Sequence, residues 1–156
     1  MVSVTDETRQ SESVRDEVPD AEPQQVVPAA EKNSEPFFIL YFGGPDYVEE
    51  LRRLSMWVEK LLIPVYGEEV TSGAPWCPRW REHTEAIAHF HGLWLAWQDK
   101  TGPKASLTGP SEWHRDHLGP TMAALRNPSG PFAGCKPGAH RAKERPPVER
   151  DGSGNF

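Results

Sequence analysis

The chain has 156 residues, a net charge of −6 and a hydrophobic share of 37%, which allows one domain with a modest core. No apolar run approaches the roughly 20 residues of a membrane span, and the N-terminus lacks the basic start and apolar stretch of a signal peptide; a cytoplasmic location is expected. Residues 1–35 carry nine acids against three bases, residues 36–135 eleven against nine, and residues 136–156 three against five, so the middle segment has no basic footprint for nucleic acid.

Residues 1–35 contain no aromatic residue and are mostly Pro, Glu, Gln, Ser and Asp. Such a segment buries too little apolar surface to offset its chain entropy, and it is expected to be a disordered acidic tail. All six tryptophans fall between Trp57 and Trp113, and after Cys135 the only large apolar residues are Val148 and Phe156. The folded domain is therefore expected over residues 36–135, with residues 136–156 a disordered basic tail.

The domain opens with the apolar run from Phe37 to Phe42. No second strand is evident to pair with it, so it is expected to be an extended arm packed on helices. After Gly43-Gly44, Pro45 suits the first turn of a helix, with Asp46, Glu49 and Glu50 favourable near the start. Tyr47, Leu51, Leu54, Val58 and Leu61 line one face of that helix, which is expected to end at Pro64. A second helix starts near His83 or Thr84 and runs to about Asp99. Its apolar residues, Ala86, Phe90, Leu93 and Trp97 beside Ile87, His91 and Trp94, cover so wide an arc that it should be the central helix. Ser111 is a candidate cap for a third helix, which Gly119-Pro120 should interrupt before a short piece through Leu125. The expected fold is all-α: a small bundle of about four helical pieces with an extended apolar arm.

The blocks Trp76-Cys77-Pro78-Arg79-Trp80, Glu82-His83-Thr84-Glu85-Ala86, Leu93-Trp94-Leu95-Ala96-Trp97, Trp113-His114-Arg115-Asp116-His117 and Gly130-Pro131-Phe132-Ala133-Gly134-Cys135 resemble an actinobacterial domain family of unknown function. The resemblance covers about residues 47–135. It implies no activity, but it implies a bacterial, cytoplasmic protein, some of whose relatives sit on plasmids or phages. Arg81, Thr84 and Thr121 depart from the pattern, where Trp, Pro and His are expected, and the last departure weakens any role that needs every histidine of the segment.

Cys77, His83, His114, His117, Cys135 and His140 all fall near helix ends or in loops flanking the core. Two cysteines in a cytoplasmic protein are free or metal-bound more often than disulfide-linked. Zinc takes four such ligands in a tetrahedron. Cys77, His83, His117 and Cys135 are the expected set, with His140 in reserve, and their two sulfurs must then lie within about 4 Å of each other. The alternative is two buried thiols and locally satisfied histidines.

Three functions stand beside one another. A protein-interaction module, with a protein partner and zinc as a possible staple, fits a near-neutral core with no recognisable catalytic signature. A His/Asp or metal-dependent hydrolytic enzyme would draw on Cys77, His83, Asp116 and His117, with Asp116 orienting a histidine such as His83 or His91. A nucleic-acid accessory factor is suggested only by the mobile-element association.

Overall fold

The computed structural model describes residues 37–149. The expectations for residues 1–35 and for the last seven residues fall outside the described part. Within it the fold is all-α, with no strand and only two isolated β-bridges.

Helix α1 begins as Gly44–Trp57, widens into π-helical turns over Val58–Leu62 and closes as Ile63–Tyr66. Helix α2 is Thr84–Thr101. Helix α3 begins as Gly109–Glu112, widens over Trp113–Leu118 and closes as Gly119–Leu125. The expected break at Pro64 and the expected interruption at Gly119-Pro120 do not occur, and the reason is the same in both. A proline in a regular α-helix drives its ring into the carbonyl four residues back. Here the residue before each proline, Ile63 or Gly119, donates its N–H five residues back, to Val58 and His114 respectively. The wider turn carries the chain past the obstructing carbonyl, so the helix continues through the proline.

The arm is likewise not extended throughout. Ile39–Tyr41 forms a single 3₁₀ turn between extended Phe38 and Phe42, and buries Ile39 completely. The turn is pinned by His91, which is wholly buried: the Ile39 N–H donates to His91 Nδ1 at 3.4 Å, and His91 Nε2 meets Glu50 Oε1 at 2.9 Å. With Nδ1 accepting, the proton lies on Nε2 and is donated to the carboxylate. Ser111 does not cap α3, which starts two residues earlier; the Thr108 hydroxyl instead donates to Glu112 at 2.8 Å.

As expected, α2 is central. Ala86, Ile87, Phe90, His91, Leu93 and Trp94 are all buried. They meet Leu54, Trp57, Val58 and Leu62 of α1 and Trp113, Leu118 and Leu125 of α3 in one core. Four of the six tryptophans, Trp57, Trp80, Trp94 and Trp113, are buried, and the Trp113 indole N–H donates to the Leu93 carbonyl at 3.3 Å. Trp113 and Trp80 are thus core residues rather than exposed anchors.

Two features carry the fold to the site. At the end of α3, buried Arg126 donates to the carboxylate of Glu68 at 3.1 Å and to the carbonyls of Glu69 and Ala74. It thereby clamps the loop that leads from α1 into Trp76 and Cys77. After α3, Phe132 is fully buried, edge-on to Trp76 at 5.1 Å and to His83 at 5.3 Å.

The segment from Lys136, expected to open a tail, begins with a turn. The Lys136 and Ala139 backbones exchange two hydrogen bonds of 2.9 Å. Pro137 precedes Gly138, whose φ of +77° suits the third position of a type II turn. The turn sends the chain back across the core, where Lys143 pairs with Glu85 at 3.0 Å.

Candidate metal centre

Four side chains meet at one end of the domain. One potential ligand atom from each of Cys77, His83, Cys135 and His140 lies within 4.8 Å of all the others. The two cysteines and His83 are buried, and His140 is nearly so, with its side chain 13% exposed. Cys77 Sγ lies 3.3 Å from His140 Nδ1, and Cys135 Sγ lies 3.6 Å from His83 Nε2.

The backbone brings them together in two short pieces. The first runs from Cys77 through the 3₁₀ turn Trp80–Glu82 to His83, which is the N-cap of α2. The second runs from Cys135 through the Lys136–Ala139 turn to His140. Gly134 makes the return possible. Its φ of +79° is left-handed backbone, and a Cβ there would lie 2.6 Å from Arg141 Cδ.

Cys135 Sγ accepts the backbone N–H of Arg141 at 3.4 Å. A metal requires the thiolate form of its cysteine ligands. Burial works against it: it raises the Cys77 thiol above its ordinary value, and the neighbouring Cys135 adds to the rise. Burial, with His140 close by, lowers His83, so its ring resists protonation. The cluster thus holds a Cys77 thiol reluctant to ionise and a His83 imidazole that stays neutral. A divalent cation supplies the positive charge that reverses the first effect, and it requires the second.

The geometry fits such an ion. With zinc–sulfur near 2.3 Å and zinc–nitrogen near 2.0–2.1 Å, a tetrahedral site has ligand–ligand edges of about 3.3–3.8 Å. The largest separation in the cluster exceeds those edges by about 1 Å. Two thiolates and two imidazoles are the donor set of zinc rather than of calcium or magnesium. The group could hold a metal ion.

Of the residues anticipated from sequence, Cys77, His83 and Cys135 converge and His117 does not. His117 lies on the widened part of α3, whose buried side is carried by Trp113 and Leu118, and the fourth member of the group is His140. The signal for His140 was present in the sequence: Pro137-Gly138 between Cys135 and His140 is a reversal motif that brings residues on either side of it together. Asp116 pairs with its neighbour Arg115 at 2.7 Å, not with a histidine. His114 lies elsewhere, between the Tyr66 hydroxyl at 2.9 Å and the Pro110 carbonyl at 2.6 Å.

One partner of the cluster was not foreseen. Glu82 Oε2 lies 3.6 Å from His140 Nε2, on the side of the ring away from Cys77. Arg79 grips the same carboxylate with Nε at 2.5 Å and Nη2 at 2.6 Å. That guanidinium holds the Glu82 carboxyl below its usual range.

Together, the fold and the cluster define a small all-helical domain whose C-terminal segment returns to a buried Cys/His group able to hold a metal ion. The chain belongs to the family described as Domain of unknown function (DUF4913), which matches residues 51–151. The matched span runs past Cys135 and takes in the turn, His140 and the segment after it. No curated protein and no solved structure matches the chain. Among the described residues, no helix is long and apolar enough to cross a membrane.

Proposed function

We propose that this protein is a small cytoplasmic interaction module, stabilised by one zinc ion held by Cys77, His83, Cys135 and His140. The observation that carries the reading is the convergence of four ligand atoms within 4.8 Å, three of them on buried residues. Four protein ligands complete a tetrahedron and leave no position for water or substrate, which is the arrangement of structural rather than catalytic zinc. The ion would then secure the segment after α3 to the start of α2. That segment has few apolar residues of its own to hold it there.

With the metal in a structural role, function falls to the surface, and a protein partner is the reading that a near-neutral domain favours. Phe37, Leu40 and Tyr41, all more than half exposed at the N-terminal turn, offer apolar contact area for one. The resemblance to actinobacterial, plasmid- and phage-borne relatives suggests a bacterial mobile element as the setting. The hydrolytic reading has less support, since Asp116 pairs with Arg115 at the surface and His91 has both ring nitrogens engaged.

The test is elemental analysis of the purified full-length chain, alone and as the double variant Cys77→Ser/Cys135→Ser. One zinc per chain, lost in the double variant, is expected. A metal-free wild type that takes up no zinc on titration overturns the reading.

A further inference from the structure

We infer that Glu82, gripped by Arg79, is a positioning residue for the metal ligand His140, fixing its ring so that it ligates through Nδ1 while His83 ligates through Nε2. This rests on the zinc reading above and goes beyond it, since the four ligands alone do not specify which nitrogen of each ring is used.

The two histidines present opposite nitrogens to the sulfurs. His140 turns Nδ1 toward Cys77 Sγ at 3.3 Å, and His83 turns Nε2 toward Cys135 Sγ at 3.6 Å. The ring of His140 is thereby committed, with Nδ1 facing inward and Nε2 facing Glu82 Oε2 at 3.6 Å. That separation is about half an ångström outside the usual hydrogen-bond range, so a small side-chain adjustment makes Nε2–H a donor to the carboxylate. A neutral imidazole has one N–H and one lone pair; a proton held on Nε2 leaves the lone pair on Nδ1 for the metal.

Glu82 is suited to this role because it is not a free surface carboxylate. The two nitrogens of Arg79 meet its two oxygens as a fork, a geometry that fixes the carboxylate plane. The stretch from Cys77 to His83 thus supplies two ligands and a clamped carboxylate behind a third, His140. Carboxylates behind metal-bound histidines set the tautomer and raise ligand basicity, and their loss typically costs about 10–100-fold in metal affinity.

The test uses the full chain with zinc, comparing wild type, Glu82→Gln and Glu82→Ala. Affinity is read by competition with a chromophoric chelator, and ring tautomers by long-range proton–nitrogen NMR. Wild type should show His140 protonated on Nε2 and His83 protonated on Nδ1. Glu82→Ala should still bind one zinc, about 10–100-fold more weakly, with Glu82→Gln in between. Because Glu82 is a surface residue, the metal-free melting curves of the three proteins should coincide. Unchanged affinity in both variants, or His140 ligating through Nε2 in the wild type, overturns the positioning role while leaving the zinc site intact. A wild type that binds no zinc removes the site itself, and with it the role.

Discussion

Cys77 Sγ and His140 Nδ1 lie 3.3 Å apart although 63 residues separate them along the chain. That contact ties the loop before the central helix to the segment after the last helix.

Removal of the metal should release the segment after Cys135. With free zinc about a hundredfold above its dissociation constant, binding contributes nearly 3 kcal/mol to stability. For a domain of this size that corresponds to a melting shift of roughly 10 °C or more. Hydrogen exchange with and without chelator should show the backbone amides of Ala139 and Arg141 losing protection, while those in the middle of α2 keep theirs. Equal protection in both states would mean that apolar packing alone holds the turn.

His140 and His117 should behave oppositely when removed. His140→Ala takes away one of four ligands and should lower zinc affinity by at least a hundredfold, given the roughly 10–16 kcal/mol that a complete site supplies. His117→Ala should leave affinity and stoichiometry unchanged, since its side chain lies outside the cluster. Competition titrations on the two variants decide this; a loss of zinc in His117→Ala would show that the C-terminal turn rearranges when metal binds.

Trp94→Ala should cost about 3–5 kcal/mol. The indole is 9% exposed, packed edge-on to His91 with the Arg53 guanidinium 5.7 Å from its ring. Such a loss is a large part of the 5–15 kcal/mol available to a domain. A urea titration of the variant, followed by circular dichroism, should show a midpoint well below that of the wild type. An unshifted midpoint would place Trp94 outside the cooperative core.

In the metal-free protein, stability should fall as the solution is acidified. Burial, with His140 nearby, holds the folded His83 imidazole below its ordinary value of about 6.5. The unfolded chain therefore binds a proton on this residue at a higher pH than the folded chain does, and stability rises with pH between the two values. The His83 contribution is complete above about pH 6.5 and is lost as pH drops from there toward the lower folded value. Melting curves in chelator across that window should decline less steeply for His83→Gln than for wild type. Equal slopes would assign the acid sensitivity to other groups.

Much of the helical framework was legible because it follows from periodicity. The apolar arc on α2 is wide enough to identify a central helix, and Pro45 and Asp46 mark the start of α1. The continuation through Pro64 and Pro120 was not legible. The prolines are local signals, but what offsets them is a widened turn whose hydrogen bonds appear only in three dimensions. The site divides in the same way. Cys77, His83 and Cys135 announce themselves by residue type and by their places at element ends. His140 was legible only as a reserve ligand, because the polar, charged composition around it reads as a tail unless Pro137-Gly138 is taken as a reversal. Glu82 and Arg79 gave no sign of their role, because a surface Arg–Glu pair three residues apart is common on any chain and acquires meaning only from the ring it faces.

The spacing of the ligands also sets an order of events. Each of the two pairs, Cys77 with His83 and Cys135 with His140, is close along the chain, but neither pair completes a tetrahedron. Bringing them together closes a loop of 63 residues, at an entropy cost of about 3.7 kcal/mol before any constant term. A compact zinc finger can nucleate around its ion; zinc bound by these four residues would instead wait for α2 and α3 to dock. Metal capture would therefore be a late step in folding. In cells, zinc occupancy would then report whether the helices had already assembled, and a chain interrupted before His140 would keep a nearly complete core while lacking the ligand that closes it.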